Sequence, residues 1–131
     1  MTRIARLFLP CLLVLALSCG SGPLAQRRLL SLTISPASAT ASGGNVQFTV
    51  TGTFSTAPVT VTPLTAVWTE DRPAFSGLPE PNHASVDMNG LAHCVPGFTG
   101  VSQIIATAAV DPSQPTSLQN EMAVSAQLTC P

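Results

Sequence analysis

Lysine is missing from this chain, and charge of either sign is scarce: 8% of its 131 residues are charged, against a usual ~25%. All the basic residues are arginines, namely Arg3, Arg6, Arg27, Arg28 and Arg72. With a formal net charge of −1 the chain lacks the clustered cations that hold phosphate backbones, which excludes nucleic acid as its main partner. Twelve prolines and nine glycines leave no window for a long helix. There is no glycine-rich phosphate loop, and no serine has a histidine at a motif spacing. The two histidines, His83 and His93, together with Asp87 and Cys94 match no zinc-ligand spacing. These absences argue against an enzyme, a metal site and a cofactor. Apolar residues nevertheless make up 45% of the chain, a globular share rather than a disordered one, and the length suits one domain.

The first residues read as an address. Arg3 and Arg6 precede the apolar run Leu7 to Leu17, LFLPCLLVLAL, and Ser18, Cys19 and Gly20 follow. Basic start, apolar middle and small-residue end are the three parts of a secretory signal. The run is about half of the ~20 residues that span a bilayer, and Pro10 interrupts it. The segment Leu15-Ala16-Leu17-Ser18-Cys19 resembles the lipobox of bacterial lipoproteins, with Ala16 where leucine is usual. That resemblance implies diacylglycerol on Cys19, which becomes the new N-terminus. Residues 1–18 would then be a lipoprotein signal peptide, 19–30 a lipidated flexible tether and 31–131 one domain. Gly20, with no aspartate after the cysteine, points to the outer membrane of a two-membrane cell. The alternative is ordinary signal peptidase cleavage and secretion. Processing leaves Arg27, Arg28 and Arg72 against six acids. An anionic surface gains nothing from an anionic membrane, so the lipid supplies the attachment. Arg27-Arg28 reads either as a solvated pair or as a headgroup contact.

From Leu32 onward apolar residues alternate with polar ones. Leu32 and Ile34 do so, then Val46, Phe48 and Val50, then Met122, Val124, Ala126 and Leu128. Period two with β-branched and aromatic residues marks strands. Pro63 interrupts a further strand region between Val59 and Thr69. Asn89-Gly90 between two such runs predicts a two-residue type I′ hairpin. About seven short strands with turn signals between them predict an all-β sandwich. Its expected core is Val46, Phe48, Val50, Trp68, Val86, Leu91, Ile104, Val124 and Leu128. The stretch Glu70 to Asn82, EDRPAFSGLPEPN, is a long proline-rich connection. Its Glu70, Asp71, Phe75 and Glu80 are the candidate binding residues.

Cys94 and Cys130 form an even pair in an exported domain, which predicts a disulfide. Two free thiols, or a bond to another chain, are the alternatives. Cys130 shares the parity of Val124 and Leu128; Cys94 faces inward or outward according to whether Ala92 or Leu91 does.

Four stretches in order are similar to the group 2 bacterial immunoglobulin-like domain of intimin- and invasin-type surface proteins. They are LTISPASATASGGNVQFTVTG from Leu32, LTAVWT from Leu64, ASVDMNGLAHCV from Ala84 and PGFTGVSQIIATA from Pro96. Trp68 falls at the family's strand tryptophan, and Val86-Asp87-Met88-Asn89-Gly90-Leu91 at its central hairpin. The loop from Glu70 to His83 is longer than the family's, and one copy is present where tandem copies are usual. The resemblance implies an antiparallel two-sheet immunoglobulin-like β-sandwich. The expected function is a non-enzymatic, lipid-anchored envelope protein making structural or adhesive contacts, with an envelope protein or polysaccharide as partner. The alternative is a carbohydrate- or protein-binding module using the loop 70–83.

Overall fold

Period-two patterning forms strands throughout. The computed structural model describes residues 26–71 and 83–131, and among them there is no helix. Ten strands follow in order: β1 (Leu29–Ser35), β2 (Ser38–Thr40), β3 (Asn45–Gln47), β4 (Thr49–Phe54), β5 (Thr60–Val61), β6 (Val67–Asp71), β7 (Ala84–Val86), β8 (Leu91–Cys94), β9 (Gly100–Ala109) and β10 (Glu121–Cys130).

They pair as three ladders, β1-β4-β5, β3-β8-β7 and β2-β10-β9-β6. Ten strands stand where about seven were expected, and the expected all-β class with mostly antiparallel pairing is what the ladders show. The first two ladders share one length of chain: β3 and β4 are separated only by Phe48, whose N–H donates to the Gly90 carbonyl at 2.9 Å. Pairing is antiparallel except for β2, which lies parallel to β10 with Leu128 opposite Ala39. One stretch of chain thus serves both layers, β1 on β4 and β2 on β10. The region around Pro63 is not one interrupted strand either. β5 pairs with β4 while β6 pairs with β9, so Pro63 lies in a crossover between ladders.

The apolar sides of these ladders meet face to face. Phe48, Ala84 and Ala92 pack with Ile104, Ala126, Leu128 and Cys130. Leu29, Leu32, Val50 and Phe54 pack with Ala106 and Ala108. Trp68 and Ile34 touch both groups. Alanines on β9 and β10 leave room for the large rings opposite, a small-against-large arrangement that fills space without strain. Each fully buried Phe48 or Leu128 contributes about 1.5–3 kcal/mol over exposure. Val46, Val86 and Val124 are half-buried against these groups, as expected.

Leu91 is the exception, and the hairpin explains it. Gly90 N–H donates to the Asp87 carbonyl at 3.0 Å and Asp87 N–H to the Leu91 carbonyl at 3.1 Å. With Gly90 at φ +81°, this is a four-residue turn followed by a glycine bulge, not the two-residue type I′ turn. The bulge shifts the register by one. Val86 faces Ala92 rather than His93, and residues directly opposite share a face. Ala92 is therefore fully buried while Leu91 is only half-buried, and Cys94 follows Ala92 inward to pack on the core.

Residues 26–30, expected within the tether, are held against the domain. Leu29 is 2% exposed and its N–H donates to the Val110 carbonyl. Gln26 Nε2 donates to Ser113 Oγ at 2.9 Å. Residues 26–30 belong to the domain because the apolar parity of β1 begins at Leu29, not at Leu32. A bulge between Leu29 and Ser31 hides that parity in the sequence.

Candidate functional site

Strand register gives the molecule two ends. At the near end the chain arrives at Leu29, beside Phe54 and Val110. At the far end Cys130 lies opposite Gly100, and β6 finishes with Asp71 opposite Gln103.

The far end holds Glu70 and Asp71, where β6 runs into the long connection. Glu70 is half-buried, and its Oε1 accepts from the His83 N–H at 3.1 Å, the Ala84 N–H at 2.9 Å and the Ser102 hydroxyl at 2.7 Å. Ser102 is itself buried, and a buried hydroxyl needs such a partner. This one carboxylate oxygen braces the end of β6, the start of β7 and β9. Beside it the His83 ring stacks on Phe98, centroids 4.1 Å apart and planes 10° from parallel. Asp71 closes β6, while Phe75 and Glu80 lie outside the described residues, as do Cys19 and the expected signal segment.

Cys94 and Cys130 form a disulfide, with Cα atoms 5.8 Å apart. The bridge joins β8 to β10, so it fastens one layer to the other at the far end. His93 Nδ1 lies 2.6 Å from Asn45 Oδ1 across the β3–β8 pair. Among the described residues no three His, Cys, Asp or Glu side chains gather as a metal would need.

Asp87 organises the central hairpin. Its Oδ1 accepts the N–H groups of Leu91 at 2.9 Å and Asn89 at 2.8 Å. The Leu91 N–H, more than any other neighbour, holds its carboxyl below the usual range. Where β5 stops and this hairpin begins, the surface opens into a cleft of about 500 Å³ over Phe48, Val50, Leu64, Trp68 and Met88, with no ionisable side chain among the described residues of its lining. The sequence pattern placed Trp68 in the core; it is half-buried, packs on both core groups and also walls this cleft. The only sequence signal for the cleft is Pro63, where the ladder breaks.

At the near end Arg27 lays its guanidinium over the Phe54 ring, 3.9 Å from the centroid, and donates to the Pro58 carbonyl at 2.9 Å. Arg27 is thus fastened into the fold, while Arg28 is exposed. The loop from Val110 to Asn120 is braced internally. Asp111 Oδ1 accepts from the Ser113 hydroxyl at 2.7 Å and N–H at 2.9 Å, and Asn120 Nδ2 donates to the Asp111 carbonyl at 2.9 Å. The Ser113 hydroxyl lowers the Asp111 carboxyl below its ordinary value. A polar depression of about 340 Å³ lies between this loop and residues Gln26 and Arg28.

No protein-family model matches the chain, and no curated protein matches it either.

Proposed function

We propose that this chain is a non-enzymatic, lipid-anchored protein of the bacterial cell envelope that holds up one immunoglobulin-like sandwich for structural or adhesive contact. The observation that carries the reading is a pairing. An N-terminal basic–apolar segment ends on Ser18-Cys19, and the domain after it is closed by the Cys94–Cys130 disulfide. Such bonds persist in oxidising compartments outside the cytoplasm, which is where a lipoprotein signal delivers its cargo. The immunoglobulin-like assignment is supported by the division of the first segment, with β1 antiparallel on β4 and β2 parallel on β10.

The anchor and the contact surface would sit at opposite ends. The chain from Cys19 reaches the domain at the near end. The Glu70 brace and the disulfide lie at the far end, which faces away from the bilayer and is the end available to an envelope protein or polysaccharide. Loops at the ends of a sandwich commonly carry recognition. Replacing Cys19 with Ser tests the anchor. The variant is expected to lose incorporation of a palmitate analogue and to leave the membrane fraction or remain unprocessed. Equal incorporation in wild type and variant would refute lipidation at this residue. Cross-linked pull-down from native membranes then identifies the partner.

A further inference from the structure

Three large apolar side chains at the near end are turned to solvent. Leu118 is 95% exposed, Leu30 60% and Val59 53%. They stand on neighbouring pieces of backbone. Arg28 N–H donates to Ser55 Oγ and Arg27 to the Pro58 carbonyl, which sets residues 27–30 against the turn that ends at Val59. Gln26 donates to Ser113 and lies with Arg28 beside Ser117 and Gln119, which sets the same segment against the loop that carries Leu118. That loop holds its shape through Asp111, Ser113 and Asn120, so Leu118 is presented rather than left on a loose strand. Both arginines of the described residues are here too.

The length of chain leading to this end says what covers it. Cys19 lies seven positions before Gln26, a connection of at most about 25 Å when fully extended. A lipid on Cys19 therefore keeps the near end within one short reach of the headgroups at all times, at high effective concentration. We infer that the near end is a second, weak membrane-docking surface, in which Leu118, Val59 and Leu30 enter the interfacial layer of the bilayer and Arg28 meets lipid phosphate. This rests on the lipid-anchor reading above. Of the two acids at this end, Asp111 is only 8% exposed and its carboxylate is hydrogen-bonded to Ser113, which leaves Glu121, exposed at the start of β10, as the one solvent-facing acid among the described residues there. Apolar insertion, not net charge, supplies the attraction, as for other interfacial segments. The consequence is orientation. The domain stands on its near end, with the Cys94–Cys130 end outward.

Amide hydrogen exchange on the mature, lipidated protein tests this, using vesicles of phosphatidylethanolamine with a minor share of phosphatidylglycerol. Amides of 55–59 and 113–119 should exchange about ten-fold more slowly than in lipid-free protein, while those of 42–44 and 97–99 keep their rates. Leu118→Asp, alone and with Val59→Asp, should restore fast exchange at the near end and leave palmitate incorporation unchanged. Labelled protein whose near end is no slower on vesicles overturns the docking surface and leaves the anchor standing. Protection at 42–44 and 97–99 instead overturns the orientation. The same near-end protection in concentrated lipid-free protein would mark a second copy as the occupant and also overturn it. Absent labelling at Cys19 removes the anchor, and the docking inference with it.

Discussion

Gly90 is placed where two separate costs fall on any side chain, and they can be measured apart. Its φ of +81° lies in the left-handed region, which costs a residue with a Cβ roughly 1–2 kcal/mol. A Cβ there would also lie 2.5 Å from the Phe48 carbonyl oxygen and 2.7 Å from Cζ2 of Trp68. The first neighbour is backbone, and that carbonyl already accepts from Gln47 Nε2 at 2.8 Å, so it cannot swing away. The second belongs to a ring packed against both core groups. Overpacking of this kind costs about 1–3 kcal/mol. Gly90→Ala is therefore expected to lose about 2–5 kcal/mol in all. Gly97 supplies the control: its φ is +84° but no atom lies within 4 Å of its Cβ position, so Gly97→Ala should lose only the backbone share of about 1–2 kcal/mol. Urea titration followed by emission of the one tryptophan, Trp68, reads both variants, and in Gly90→Ala the folded-state emission should shift as well. Equal losses in the two variants would refute the close approach of hairpin, Phe48 and Trp68.

The Cys94–Cys130 bridge closes a loop of 36 positions, worth at most about 4 kcal/mol by chain entropy, or roughly 15 °C in Tm for a domain of this size. Calorimetry should show that loss on reduction and in Cys130→Ser, with reductant adding nothing to the variant; two titratable thiols in the oxidised mature protein would refute the bridge. Asp87 and Asp111 both have folded-state values below the ordinary 3.8. Their contribution is complete above that value and is lost as pH falls through the lower folded value. Urea midpoints should therefore decline on acidification below about pH 4, less steeply in Asp87→Ala with Asp111→Ala; identical slopes would refute a role for these carboxylates.

What the sequence determined by itself is what local chemistry determines. Alternation at Val46, Phe48 and Val50, and again at Val124, Ala126 and Leu128, makes a strand whichever neighbour it later acquires, because side chains of a strand alternate faces. The Cys94–Cys130 bridge is legible for a related reason, since an even cysteine pair behind a segment that reads as an export signal predicts a disulfide. Register is decided differently. Whether Leu91 or Ala92 faces inward turns on a single bulged residue at Gly90, and an Asn-Gly pair is compatible with either turn. Only the packing of Gly90 against Phe48 and Trp68 selects between them. Likewise the start of the domain at residues 26–29 is hidden by the bulge after Leu29, and becomes apparent only when Phe54 and Val110 arrive from distant parts of the chain. The acids of the long loop carry the same lesson. In sequence Glu70 is one of several candidate binding carboxylates. In the fold its Oε1 is occupied by His83, Ala84 and Ser102, residues 13 to 32 positions away. No local pattern encodes such a partner set, because it exists only once β6, β7 and β9 are side by side.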